Sequence, residues 1–446
     1  MAPHDIDWRA LGDEAVELLR RYLAIDTTNP PGNEVAGAHF LRQVLMADGI
    51  DSEIAESAPG RANLVARVRG DGSLGAIVLH HHIDVVYADR RYWTVDPFGG
   101  VIQAGYLYGR GALDMKSTGI VQLAAVLAIA RARIPLRRDL IFLATADEEA
   151  GSAYGAGFLA AHHADWLAGA EYAISELGGI EIAPHFRAPF AHIVISEKTG
   201  LPLRLIARGA PGHGSMPWPD TAPHRLIRAL GRLLTAERPA RVLPEVQEYF
   251  RCLARVLPAE EGRGLETLEA SLRDPAFRAR FFARRDWAAM VRTTFAVNIL
   301  RASEKLNVIP PEAVAELDCR MLAGDDPQEI RQWVTRAVDD EHVEVAFGRE
   351  PKIPNLSPPD TELYKALADA LARRVPGVVV APEILVAFTD NWVFRRMGLQ
   401  GYGWSPFILD DGEWQRIHGN DERISLDNVE QGARAYTELL LTVAGA

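Results

Sequence analysis

The chain has 446 residues, 48% hydrophobic and 24% charged, so it exceeds one ordinary core and predicts two domains. A formal net charge of −12 argues against nucleic-acid binding, and no run approaches the ~18 apolar residues of a membrane span. Two distant cysteines, Cys252 and Cys319, exclude a disulfide framework, and with no apolar signal core at the N-terminus they fit a cytoplasmic protein.

Ala15, Leu18, Leu19, Tyr22 and Leu23 share a helical face, predicting an amphipathic helix over 12–25. "TTNPPGNE" stops it, with Asn33 a candidate cap for the next helix. "NLVARVRG" and "GAIVLHHH" read as strands turned by "DGS". "STGIVQLAAVLAIARA" is apolar nearly all round and predicts a buried helix. "RRDLIFLATA" reads as a strand, "GSAYGAGFLAAHH" as a helix and "EYAISELGG" as a strand. This alternation predicts an α/β layer with a mostly parallel sheet flanked by helices, which forms sites beyond its carboxyl strand ends.

The character changes near residue 197. "GLPLRLIARG" and "HVEVAFG" suggest half-buried strands with an Arg- and Leu-rich helical stretch between them. The predicted division is 1–196, an inserted α+β domain over 197–350, and a return to the first domain over 351–446, through "PKIPNLSPPD" and the helix "TELYKALADALARR".

The apolar run "VLHHHIDVV" carries the first chemistry. In a strand His80, His82 and Asp84 share a face while His81 points oppositely. A carboxylate can aim a metal-binding imidazole. His80 and His81 read as structural, since one strand end seldom offers three ligands. Asp114 in "GRGALDMKS" reads either as a helix cap or as a carboxylate bridging two cations. "TADEEAGS" places three acids at a strand end, where like charges repel unless something positive holds them. Glu176 in "SELGG" and His418 in "RIHGNDE" complete two histidines and three carboxylates, a donor set suited to Zn²⁺, Co²⁺ or Mn²⁺. A carboxylate left over from ligation, beside activated water, equips a hydrolase. No H-E-x-x-H and no G-x-S-x-G occurs.

The ordered motifs "HIDVV", "GRGALDMK", "DEEAGS", "SELGG", "GAPGHGSMP", "NVIPPEAVAELDCR", "TDNWVF" and "IHGNDERIS" resemble the dinuclear-zinc exopeptidase and deacylase family. That family includes glutamate carboxypeptidase, aminoacylase, acetylornithine deacetylase and succinyl-diaminopimelate desuccinylase, and "SELGG" leans toward its carboxypeptidase and N-acyl-amino-acid branch. The resemblance implies two divalent ions per chain, with Asp114 bridging, Glu149 and His418 completing one site, and His82 and Glu176 the other. It implies Asp84 as the orienter of His82 and Glu148 as general base. His213 would reach the partner subunit's site across a homodimer formed by the lid, and Asn298 and Arg320 would hold the substrate's carboxylate. The activity implied is hydrolysis of an N-acyl amino acid or short peptide. Cleavage of ureido or carbamoyl amino acids and a non-catalytic peptide-binding role are the alternatives. The chain departs from the family at His81, where glycine is usual, and at Ala387-Phe388-Thr389-Asp390, where Gly-Gly-Thr-Asp is common. Its 235–290 stretch is also longer than in compact relatives. Phe388, Trp392 and Trp404 suggest an apolar substrate pocket.

Overall fold

The structure, a computed structural model, describes residues 6–446. Its largest sheet has ten strands and is mixed, mostly parallel. Four central strands run parallel in the order Leu140–Thr145, Ala76–His82, Ala170–Ser175 and Gln400–Gly403. Arg61–Val68 and Ser52–Ala58 extend one side antiparallel. On the other side Phe190–Glu197 meets Gln400–Gly403 antiparallel and carries Val379–Leu385 parallel and Gly179–Ile182 antiparallel. Ile408–Asp410 closes that edge.

The strand Ala76–His82 is buried along its whole length, as expected for a central strand covered on both faces. The helix Lys116–Arg131 is buried from Lys116 to Ile129, because it lies on this sheet beneath the helices Trp8–Leu23 and Leu426–Val443. The first helix starts at Trp8 rather than at 12, since Asp7 caps it by accepting from the N–H groups of Arg9 and Ala10. Asn33 stands at a helix start but makes no side-chain cap; its amide donates to the Asp26 carbonyl instead. The helix read over 151–163 begins only at Ala156, because Gly151 and Ser152 adopt positive φ.

A second, antiparallel sheet of five strands lies within 197–350. Its long strand Glu312–Met321 pairs with Leu203–Arg208 on one side and Thr294–Arg301 on the other. The helices Ala222–Thr235 and Pro327–Val338 seal a separate apolar core on it, built around Leu205, Leu230, Leu317 and Val334. The helical stretch beginning with Pro244–Val256 packs elsewhere: Phe250, Phe277 and Phe281 share a core with Phe190, Val379 and Ala381 of the large sheet. The two chain crossings into this region are pinned together. Ser196 Oγ donates to the Asn355 carbonyl at 2.6 Å, and Arg395 grips buried Glu197 with Nη2 at 2.9 Å.

Candidate metal centre

His82 ends the central strand and reaches the rim at the carboxyl ends of its neighbours. Its Nε2 lies 3.0 Å from Asp114 Oδ1 and 3.5 Å from Glu176 Oε2. The other oxygen of Asp114, Oδ2, lies 3.1 Å from His418 Nε2, which is also 3.1 Å from Glu149 Oε1. Two triads therefore share Asp114, and within each the ligand atoms lie within 4.8 Å of one another. This donor set of imidazoles and carboxylates fits a pair of divalent cations. Glu176 Oε1, buried with no hydrogen-bond partner, fits the same reading.

Local geometry explains each placement. The helix after Asp114 starts at Lys116 with Met115 in the cap position, so Asp114 is not its cap. Buried Glu422 cradles the Asp114 turn, accepting from the N–H groups of Leu113 at 2.6 Å, Asp114 at 3.0 Å and Gly111 at 3.1 Å. Arg110 donates to Glu422 at 2.6 Å and to the Gly419 carbonyl at 2.7 Å, fastening the His418 loop to the same turn. Glu176 leaves its strand at a sharp kink with Leu177 at φ 67° and Gly178 at φ 68°. A side chain at Gly178 would meet the Gly403 and His192 carbonyls at 2.7 Å, so glycine is required there.

Asp84 meets His82 through its backbone as well as its carboxylate. The atom nearest His82 Nδ1 is the backbone carbonyl of Asp84, at 2.9 Å, whereas its carboxylate Oδ1 is 3.6 Å away. That carboxylate accepts from the Glu148 N–H at 3.1 Å and the Glu149 N–H at 3.2 Å, holding the loop that carries both acids. It also accepts from Asn29 Nδ2 at 2.8 Å. Asn29 reaches on to Asp147, which Arg61 binds at 2.8 Å while gripping Glu34. None of Asn29, Arg61, Arg110 and Glu422 stood out in the sequence as a site residue. Asn29 lay in a segment read only as a helix stop, and Glu422 carried the one available signal, an acid four residues after His418.

His80 and His81 take no part in either triad. His80 is saturated by Ser175 Oγ at 2.7 Å and Thr145 Oγ1 at 2.8 Å, with Asp390 at 3.4 Å. His81 faces the other way, against Tyr22 and Phe142. Its ring fills the space beside Gly119, where a Cβ would come within 2.4 Å.

The electrostatics follow from seven ionisable groups packed at one rim, His82, Asp84, Asp114, Glu148, Glu149, Glu176 and His418. Burial pushes His82 down, but Glu176, Asp114 and Asp84 outweigh it and hold the imidazole well above its ordinary value. Burial would raise Asp114, yet His418 and His82 hold its carboxyl well below the usual range. Glu176 is lifted by burial to about 8 against the pull of His82. Asp114 and Glu149 raise His418 to about 10. Glu148 is raised well above a normal carboxylate by burial and by Glu176, and among the described residues its side chain has no hydrogen-bond partner. A carboxylate so placed can take up a proton.

The remaining expected residues lie apart from this cluster, with no hydrogen bond or ion pair to it among the described residues. His213 is exposed on a short ladder with Val308–Ile309, and its Nδ1 accepts from Ser215 Oγ at 2.7 Å. Asn298 is exposed at a register shift between Val297 and Ile299, a bulge that re-aims its side chain. Arg320 Nε donates to Asp318 at 2.9 Å. Lys352, missed in the sequence, sits over the Phe388 ring at 3.9 Å, and burial lowers its ammonium despite Asp390 and Glu148 nearby. Trp404 is fully buried in the main core, donating to the Leu367 carbonyl, and so lines no pocket. Among the described residues no helix is long and apolar enough to cross a membrane.

Comparison with known proteins agrees with this geometry. "Probable carboxypeptidase S-like 2" of Dictyostelium discoideum is 29% identical over 383 residues, 83% of this chain and 72% of that protein. The human "N-fatty-acyl-amino acid synthase/hydrolase PM20D1" is 30% identical over 389 residues, 83% of this chain and 74% of that protein. Among solved structures, an M20 family metallo-carboxypeptidase from Sulfolobus solfataricus superposes with a TM-score of 0.71 at 18% identity, covering 96% of this chain and 98% of its own. The model of peptidase family M20/M25/M40 matches residues 78–442, and with all but the first strands and helices inside that match, the chain belongs to this family of hydrolytic enzymes.

Proposed function

We propose that the protein is a dinuclear-metal amidohydrolase that cleaves an N-acyl amino acid or short peptide at the amide beside a free carboxylate. The observation that carries this reading is Asp114, whose two oxygens face His82 and His418 next to an unengaged Glu148. Two divalent ions, Zn²⁺ in the first instance and Co²⁺ or Mn²⁺ as alternatives, would be held by His82, Asp114 and Glu176 and by Asp114, Glu149 and His418, and would supply Lewis acidity toward carbonyl and water. Glu148 accepts a proton from the water that adds to the carbonyl carbon and returns it to the nitrogen as the C–N bond breaks. Asp84 fixes Glu148 and Glu149 through their backbone N–H groups.

The names of the two relatives, a carboxypeptidase and an N-fatty-acyl-amino acid hydrolase, support an amide beside a carboxylate. Arg320 and Asn298 are the proposed carboxylate holders, and half-buried Lys352, within the electrostatic reach of Asp390 and Glu148, is a further candidate cation. His213, exposed and remote from its own cluster, supports a homodimer in which it stabilises the oxyanion in the partner's site. Buried free cysteines support a reducing, cytoplasmic setting.

The test is cleavage of N-acyl amino acids against their C-terminal amides, with metal-loaded and chelator-treated protein. Metal-dependent cleavage of the acids alone is expected. Equal cleavage of acid and amide, or activity indifferent to chelator, contradicts the proposal. Mixed His213→Ala and Glu148→Gln subunits should complement after exchange, and a lack of complementation excludes the shared site.

A further inference from the structure

Beside the kink that delivers Glu176, a cavity of about 390 Å³ opens between the large sheet and the helical stretch that packs on it. Leu177 and Gly178, the two residues after Glu176, form its inner wall, and Gln415, three residues before His418, lies on the same lining. Tyr249 and Trp287 from the helical stretch line it together with Trp414. Chain neighbours of one ligand from each triad thus line the cavity, together with residues of the helical stretch.

Its charges are unbalanced. Glu383 pairs with His192, and Asp286 is bound by Arg284 at 2.9 Å. Glu181 and Asp411 also line the space and have no ion-pair partner among the described residues. Burial pushes the Glu181 carboxyl up, with Asp411 and Glu383 adding to the rise and His192 and His185 opposing it, so acids outnumber cations around the space. Aromatic faces together with an unpaired carboxylate bind a cation better than either does alone. The volume suits one extended side chain rather than a second domain or macromolecule.

We propose that this cavity is a substrate subsite that takes an aliphatic stem ending in an ammonium or guanidinium group, with Glu181 as its counter-ion and Trp287, Trp414 and Tyr249 as its walls. The proposal rests on the amidohydrolase reading and narrows it: substrates carrying a basic group on the acyl or the amino-acid side are favoured over neutral isosteres.

Two isosteric pairs test it. They are Nα-acetyl-lysine against N-acetyl-2-aminoheptanoate, and N-(6-aminohexanoyl)leucine against N-heptanoylleucine. The native enzyme should favour the cationic member of one pair by about tenfold or more in kcat/KM, and Glu181→Gln should bring that ratio close to one. A preference for the neutral member in both pairs, or a ratio unmoved by Glu181→Gln, overturns the subsite. Binding of n-pentylammonium, followed by tryptophan fluorescence and calorimetry, gives a readout independent of turnover. It should bind the native protein about tenfold more tightly than pentanol does, and lose that advantage in Glu181→Gln. Equal binding of the two probes overturns the subsite whether or not any amide is cleaved. Ammonium discrimination without cleavage of any of the four amides counts against the hydrolase reading and leaves the subsite standing.

Discussion

Asn29 donates its side-chain amide to Asp84 at 2.8 Å, joining the turn after the first helix to the strand end that carries His82. Because Asp84 in turn holds the Glu148 and Glu149 backbone, Asn29 acts on the site through another residue. Partners of this kind typically contribute 10–100-fold in metal affinity or activity, so Asn29→Ala should lower kcat by about that factor with a smaller change in KM. Steady-state kinetics and competitive metal titration check it. Unchanged values of both would remove Asn29 from the account.

The buried pair Arg110–Glu422 should matter for stability as well as for the site. Removing one partner of such a pair leaves an uncompensated charge and costs about 3–5 kcal/mol. Arg110→Ala should show that loss in urea unfolding, together with weaker metal binding at the Asp114–His418 triad, whose two loops Arg110 fastens. A loss below about 1 kcal/mol would mean the loops hold without it.

The pH dependence of the metal-free protein has a defined sign. Glu176 has a folded-state value of about 8, above the ordinary carboxylate range, and Glu148 and Glu149 are raised in the same sense. Their contribution to stability is full below the unfolded carboxylate value and is lost as pH rises through about 8. Chelated protein should therefore have a lower denaturant midpoint at about pH 8.5 than at about pH 6, while added metal should stabilise more at the higher pH, because its ligands must shed protons. Chelated protein that gains stability over this range would contradict the assignment.

Glu148→Gln tests the base. It should keep both metals and the thermal midpoint while lowering kcat by about 10²–10⁴, the usual loss for removing a general base. Turnover close to native would place the proton on another group.

Of the five triad residues, His82, Asp114 and Glu176 sit at a strand end or a Gly-rich turn that the sequence marks locally, whereas the choice of Glu149 among three acids, and of His418, came from the resemblance of the ordered motifs. Their partners were not legible. Asn29 reaches Asp84 across 55 residues of chain and Glu422 reaches Leu113 across 309, and nothing in either local pattern announces the meeting. Trp404 shows the converse limit: its sequence neighbourhood suggests a site, but the Leu367 carbonyl and the Tyr436 ring claim it for the core. The central alternation of strands and helices was readable from periodicity. The strands Phe190–Glu197 and Val379–Leu385 were not singled out, since they pair with each other from either side of the inserted segment.

Metal stoichiometry tests the central claim most directly. Protein prepared without chelator, or reloaded with Zn²⁺, should bind two equivalents per chain by elemental analysis and calorimetric titration. Asp114→Asn should weaken both sites together, because its carboxylate faces His82 with one oxygen and His418 with the other. A single equivalent in the native protein, or an Asp114→Asn variant that still binds two with native affinity, would contradict a shared dinuclear centre.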